Sequence, residues 1–145
     1  MVISIDSNPK VKPTIVADIR YLPLRENLRP ERVHASPPCK YFSEARFRHF
    51  GYNEAGLAES LRIVAACFDA FYYLKPKHWT LENPRGLLTR IIGWHQSEVV
   101  YDKYDFKAKR THFWSNNLAL KRAMIPQDIK QKILSLVNTE NRDIC

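Results

Sequence analysis

The chain is poor in glycine. Of its 145 residues only Gly51, Gly56, Gly86 and Gly93 are glycine, against nine prolines, so no Gly-rich loop exists anywhere and the connections are short or stiffened by Pro. Long apolar runs are missing too, which excludes a membrane-spanning helix. The opening MVISIDSNPK lacks the basic, apolar and small-residue order of a secretory signal. Cysteine is sparse: Cys39, Cys67 and Cys145 are odd in number and scattered. That excludes a disulfide framework and points to a reducing compartment, the cytoplasm, or the host cytoplasm for a viral protein. His34, His49, His78, His95 and His112 show no metal-ligand spacing, and no CxxC or HxxxH pair occurs, so no metal site is expected. Internal repeats and low-complexity tracts are absent as well.

What remains is the composition of a globular protein, 45% hydrophobic and 26% charged, with a formal net charge of +8. The length suits a single domain over 1–145. The positive charge suits a polyanionic partner, because neutralising phosphates releases counterions. Basic residues cluster at Arg46 and Arg48, and again at Lys103, Lys107, Lys109 and Arg110.

Hydrophobic patterning predicts an α/β chain. Residues 2–5 and 14–17 read as short strands ending at Asp6 and Asp18, the first of them buried; residues 33–35 form a third that runs into Ser36-Pro37-Pro38-Cys39. Each delivers a polar or reactive group at its C-terminal end, where open α/β sheets bind ligands. A long helix is predicted from Asn53, a good N-cap, to Leu74, on the spacing of Leu57, Leu61, Val64, Phe68, Phe71 and Tyr72. Residues 79–81 read as a strand ending in Glu82-Asn83-Pro84, and 87–94 as a short helix. Strands over 98–101 and 112–114 follow, arranged as a hairpin across a basic turn. A last helix begins near Pro126, with Ile129, Ile133, Leu136 and Val137 on one face.

Two elements carry reactive chemistry. Cys39 follows two prolines that stiffen its approach, and Lys40 and Arg46 nearby favour a thiolate. Glu82 leaves a strand projecting from the same sheet edge. A thiolate with a carboxylic acid is the equipment for adding a nucleophile to a conjugated ring while protonating it. Taken alone, Cys39 also fits a small buried residue, and Glu82-Asn83-Pro84 a helix cap. Cys67 reads as buried on the long helix. Trp94 and Trp114 read as core side chains, although either has a ring suited to stacking on a base.

ASPPCKYFSEAR, residues 35–46, resembles the catalytic loop of the DNA (cytosine-5) methyltransferases, and WTLENPRGLL, residues 79–88, is similar to their Glu-Asn motif. VISIDSNPK and IVADIRYLP match the strands that end in the acidic residues contacting the cofactor's ribose and adenine. YDKYDFKAKRTHFWSN, residues 101–116, resembles the family's basic motif, and RAMIPQDIKQKIL, residues 122–134, its closing motif. The resemblance implies a Rossmann-like sheet with flanking helices and a base-flipping mechanism. Cys39 is then the nucleophile on carbon-6 of an extruded cytosine and Glu82 its acid partner. Asp6 and Asp18 hold S-adenosyl-L-methionine, Lys109 and Arg110 hold the base or its phosphate, Asn83 and Pro84 shape the pocket, and Pro38 joins them in binding substrate.

The chain departs from this pattern at both ends of the catalytic order. It lacks the family's first strand with its Gly-rich cofactor loop, and it has little room for a target-recognition domain. In the family the first strand lies between the second and the fourth. Its loss implies direct pairing of residues 2–5 with 33–35, a strand supplied by a homodimer or partner polypeptide, or a longer natural protein. The expected activity is DNA cytosine carbon-5 methylation, completed by a missing segment or partner. The alternative is an inactive module that binds DNA or a subunit. An RNA-directed enzyme is a third reading.

Overall fold

The computed structural model describes residues 2–22, 28–93, 95, 97–101 and 109–116. The core is built on α2 (Glu54–Leu74), whose start is set by Asn53: its side chain accepts a hydrogen bond from the Gly56 amide at 2.7 Å. The helix stops at Leu74, where Lys75 turns left-handed with φ 46° and Pro76 follows. Its inward stripe of Leu57, Leu61, Val64, Phe68 and Phe71 is buried, as helical spacing predicts. Tyr72, counted with that stripe from its spacing, is instead exposed, because it follows Phe71 by about 100° around the helix and turns off the buried face.

That stripe packs on a four-stranded sheet of order β3 (Arg32–Ala35), β4 (His78–Pro84), β6 (Lys109–Ser115), β5 (Ser97–Tyr101). β3 and β4 run parallel, while β6 is antiparallel to both β4 and β5. The side chains of β4 alternate. Trp79, Leu81 and Asn83 are buried, whereas Thr80 and Glu82 lie on the more open face. Trp79 stacks on Phe71 at 4.9 Å between ring centroids and meets Phe68 edge-on at 5.7 Å. Trp114, fully buried, adds its ring to the same core and donates its indole N–H to the Gly93 carbonyl at 3.1 Å. α3 (Leu87–Ile92) contributes Leu88 and Ile92 to the core and ends at Gly93, which takes φ 99°.

A separate parallel pair, β1 (Ile5–Asp6) and β2 (Ile15–Val16), stands at the N-terminal end. It is tied to the body by a 3-10 turn at Ile19–Tyr21. There Ile19 packs against the core, and the Arg20 guanidinium bridges Asp18 and Glu59 of α2.

The sequence expectations divide here. The long helix, the hairpin and the mixed α/β class agree with the structure. The buried strand expected over 2–5 does not: Val2 is 89% exposed and Ile5 39%, because no described element covers this pair. Nor do residues 2–5 pair with 33–35; β1 pairs with β2, and among the described residues β3 pairs with β4 alone. An unexpected helix, α1 (Glu44–Phe50), follows the Cys39 loop. Trp94, Cys145, the turn between β5 and β6, and the helix expected near Pro126 lie outside the described residues.

Gly86 shows how tightly this core is closed. A β-carbon there would fall 1.9 Å from the Phe42 carbonyl oxygen, on backbone that has no room to yield. Gly86→Ala is therefore expected to destabilise the fold by about 1–3 kcal/mol, the usual effect of overpacking. Urea unfolding of the two proteins checks it.

Candidate functional site

Parallel pairing puts strand ends together. His34 pairs with Thr80 and Ala35 with Leu81, so the loop at residues 36–39 and the Glu82-Asn83 pair leave the β3–β4 ladder at one edge. β4 itself does not end at Leu81, as the sequence suggested. β6 extends its ladder as far as the Pro84–Thr111 pair, which holds Glu82 and Asn83 in regular strand geometry.

Three contacts stitch the Cys39 loop to this strand and to the turn that follows it. The buried Asn83 amide donates to the Pro37 carbonyl at 3.0 Å, the Leu87 amide donates to the Phe42 carbonyl at 2.9 Å, and Ser43 bridges Gly86. Phe42 anchors the far end of the loop with no exposed surface. Between the anchors the Cys39 carbonyl accepts from the Phe42 and Ser43 amides, both at 3.0 Å. This turn leaves Cys39 half-buried, in contrast to Cys67, whose burial in α2 pushes its thiol up to about 12.

Glu82 lies on the sheet face opposite Asn83, with its carboxylate 3.7 Å from His34 Nε2. His34 is held in that orientation by a 2.8 Å hydrogen bond between its Nδ1 and the Thr80 hydroxyl. Of the cations expected near Cys39, Lys40 lies over the Tyr41 ring at 5.2 Å, and Arg46 lies over Tyr41 at 4.8 Å and Phe50 at 5.2 Å.

The remaining expected site residues fall into two groups. Pro38 is exposed beside Cys39, and Pro84 pairs with Thr111 next to Arg110, whose carbonyl accepts from the Arg85 amide at 2.9 Å. Lys109 opens β6 at this same edge; its side chain lies outside the described residues. The Arg110 guanidinium is half exposed and 3.7 Å from Glu98. Asp6 ends β1 and Asp18 lies two residues past the end of the parallel β2, so they share an edge of the small sheet. Asp6 accepts from the Asn8 amide at 2.7 Å and closes its own turn.

Asp18 is more firmly committed. The Arg20 side chain and amide hydrogen-bond its carboxylate and lower its pKa to about 2. A lowered folded value means the pair stabilises the fold fully above the unfolded carboxylate range near 4. That contribution is lost as pH falls through about 2.

One cluster escaped the sequence reading. His112 is buried on β6, its Nε2 2.8 Å from Glu98 of β5 and its Nδ1 2.7 Å from the Thr89 hydroxyl of α3. His95 stacks on His112 with 3.6 Å between ring centroids, and its Nδ1 is shielded from solvent with no partner among the described residues. Burial and the neighbouring His112 lower the His95 pKa. The Glu98–His112 pairing was derivable from the hairpin register, whereas linear spacing carries no trace of it.

Over 106 residues the chain is 30% identical to a protein of frog virus 3 (isolate Goorha) named probable DNA (cytosine-5)-methyltransferase, a match covering 63% of this chain and 50% of that protein. The chain is similar to a cytosine-5 methyltransferase. It spans about half the length of that curated relative. The similarity supports a methyltransferase-like origin. No family model matches the chain, and no solved structure matches it. Among the described residues no helix is long and apolar enough to cross a membrane.

Two outcomes follow from this geometry. Asn83→Ala leaves the buried Pro37 carbonyl unpaired, an expected loss of about 1–3 kcal/mol, and frees the Cys39 loop, so alkylation of Cys39 by iodoacetamide should accelerate. Arg20→Met should lower stability near neutral pH, with the difference from the parent shrinking as pH falls through about 2; acid unfolding followed by circular dichroism measures it.

Proposed function

We propose that this chain is the cytosine-gripping portion of a DNA (cytosine-5) methyltransferase of Rossmann-like architecture. The observation that carries the reading is the stitching of the Pro37-Pro38-Cys39 loop to the strand bearing Glu82 and Asn83, at one edge of a parallel pair. The similarity to the viral protein supports the same chemistry.

In this reading the Cys39 sulfur, as thiolate, bonds to carbon-6 of a cytosine swung out of the duplex. The electron pair displaced from the carbon-5–carbon-6 double bond makes carbon-5 nucleophilic, while protonated Glu82 donates to ring nitrogen 3 and neutralises the charge that develops there. Asn83 fixes the loop that carries the thiol. Pro38 and Pro84 shape the pocket walls, and Lys109 and Arg110 hold phosphate.

S-adenosyl-L-methionine would supply the methyl group, but the described residues do not by themselves fit it. The chain has no Gly-rich turn, the Asp18 carboxylate is taken by Arg20, and Asp6 closes its own turn. No transfer step is therefore derived from this chain alone. The strands β1 and β3 each keep an edge without a described partner, which suits completion of the sheet by a further strand from a partner polypeptide or a second copy. The committed Asp18 also favours a second reading, in which the chain is an inactive DNA-binding or subunit-binding module.

The first half of the reaction is testable without a methyl donor. DNA carrying 5-azacytosine, whose ring nitrogen makes carbon-6 more electrophilic, should form a covalent adduct with the protein, seen by intact mass. Cys39→Ser should abolish the adduct and Glu82→Gln should slow its formation at least tenfold. Salt-dependent DNA binding with no adduct at any protein concentration would establish the module instead.

A further inference from the structure

The cluster of His95, Glu98 and His112 has no part in the reading above. Their ligand atoms, one nitrogen from each ring and one carboxylate oxygen, all lie within 4.8 Å of one another. We propose that these three residues bind a single divalent transition-metal ion of the zinc class, although linear spacing had suggested none.

Three features carry the assignment. The donor set is two imidazoles and one carboxylate, which suits zinc and its borderline neighbours and leaves a fourth position for water. The buried His112 ring is already aimed: Thr89 holds its Nδ1 at 2.7 Å, so Nε2 faces the Glu98 carboxylate at 2.8 Å. An outer partner that fixes tautomer and ring orientation in this way is the usual companion of a ligating histidine. Finally, His95 Nδ1 is shielded from solvent and hydrogen-bonds to no described group; in the tautomer protonated at Nε2 it is an open lone pair that a cation would satisfy.

Binding requires two rearrangements. The His112 Nε2–Glu98 hydrogen bond must open, its proton passing to solvent while His112 takes the tautomer protonated at Nδ1, which then donates to the Thr89 hydroxyl. The two rings are stacked 3.6 Å apart and 10° from parallel, and one ion cannot lie in both ring planes of such a stack. His95 must turn. It sits on the connection from α3 to β5, just beyond the Gly93 cap, whereas His112 is fixed within β6. The ion would also draw on the Glu98 carboxylate that pairs with Arg110 at 3.7 Å, loosening that ion pair. Metal occupancy thereby adjusts a cation at the edge where the phosphate contact was proposed. The metal site itself stands or falls independently of the methyltransferase reading.

The test is titration of the full chain, in a Cys39→Ser, Cys145→Ser background, with zinc by calorimetry and with cobalt by visible absorption. One ion per chain is expected, with ligand-field bands for cobalt and displaced His95 and His112 ring proton resonances. His95→Ala and Glu98→Gln, both away from the packed core, should each weaken binding at least tenfold while circular dichroism stays unchanged. Thr89→Val should weaken it roughly 10–100-fold, the range for loss of an outer-shell partner. Absence of binding to the folded protein overturns the proposal, as does binding that is indifferent to His95→Ala and Glu98→Gln.

Discussion

A single buried amide organises the end of this molecule that carries Cys39. The Asn83 side chain, 1% exposed, reaches from β4 to the carbonyl of Pro37. A buried carbonyl without a partner costs about 1–3 kcal/mol, so the loop has a strong reason to stay where Asn83 holds it. Pro37 and Pro38 limit how the chain can leave that anchor, and Phe42 pins the far end in the core. The loop carrying Cys39 is thus defined from both sides by burial, not by regular secondary structure. Regular strand geometry, prolonged by β6, does the equivalent service for Glu82.

Much of this was legible in the sequence because the signals are local. Asn53 and the stripe from Leu57 to Phe71 announce α2, and the apolar runs around the basic segment announce the β5–β6 hairpin. The shared edge for Cys39 and Glu82 was also legible, since two short strands flanking a helix predict a parallel pair. The miss at β1 came from treating an apolar β-branched run as evidence of burial. Apolar character shows that a strand wants a cover, not that one is present. α1 was missed because seven residues with no side-chain cap give too little periodicity to read. The extent of β4 was missed because Pro84, an ordinary strand stop, is tolerated at the last position of the ladder.

The electrostatics were the least legible part. Lys40 and Arg46 are close to Cys39 in sequence, yet both cations lie on the Tyr41 ring. Asp18 carries the right charge for a ligand contact, yet Arg20, two residues on, claims it. The histidines show the converse: widely spaced residues meet because a hairpin and a helix end converge. Charge patterns in a sequence say what is available, whereas side-chain geometry decides which partner wins.

The claim on which the account rests is that Cys39 and residue 82 face a common space. A direct measurement is thiol cross-linking in a Glu82→Cys, Cys145→Ser variant, using the shortest bifunctional methanethiosulfonate. The buried Cys67, with its thiol pushed up to about 12, stays unreactive. The account predicts one internal bridge between residues 39 and 82, identified by peptide mass. Two separately modified cysteines with no bridge, at any reagent ratio, would contradict it.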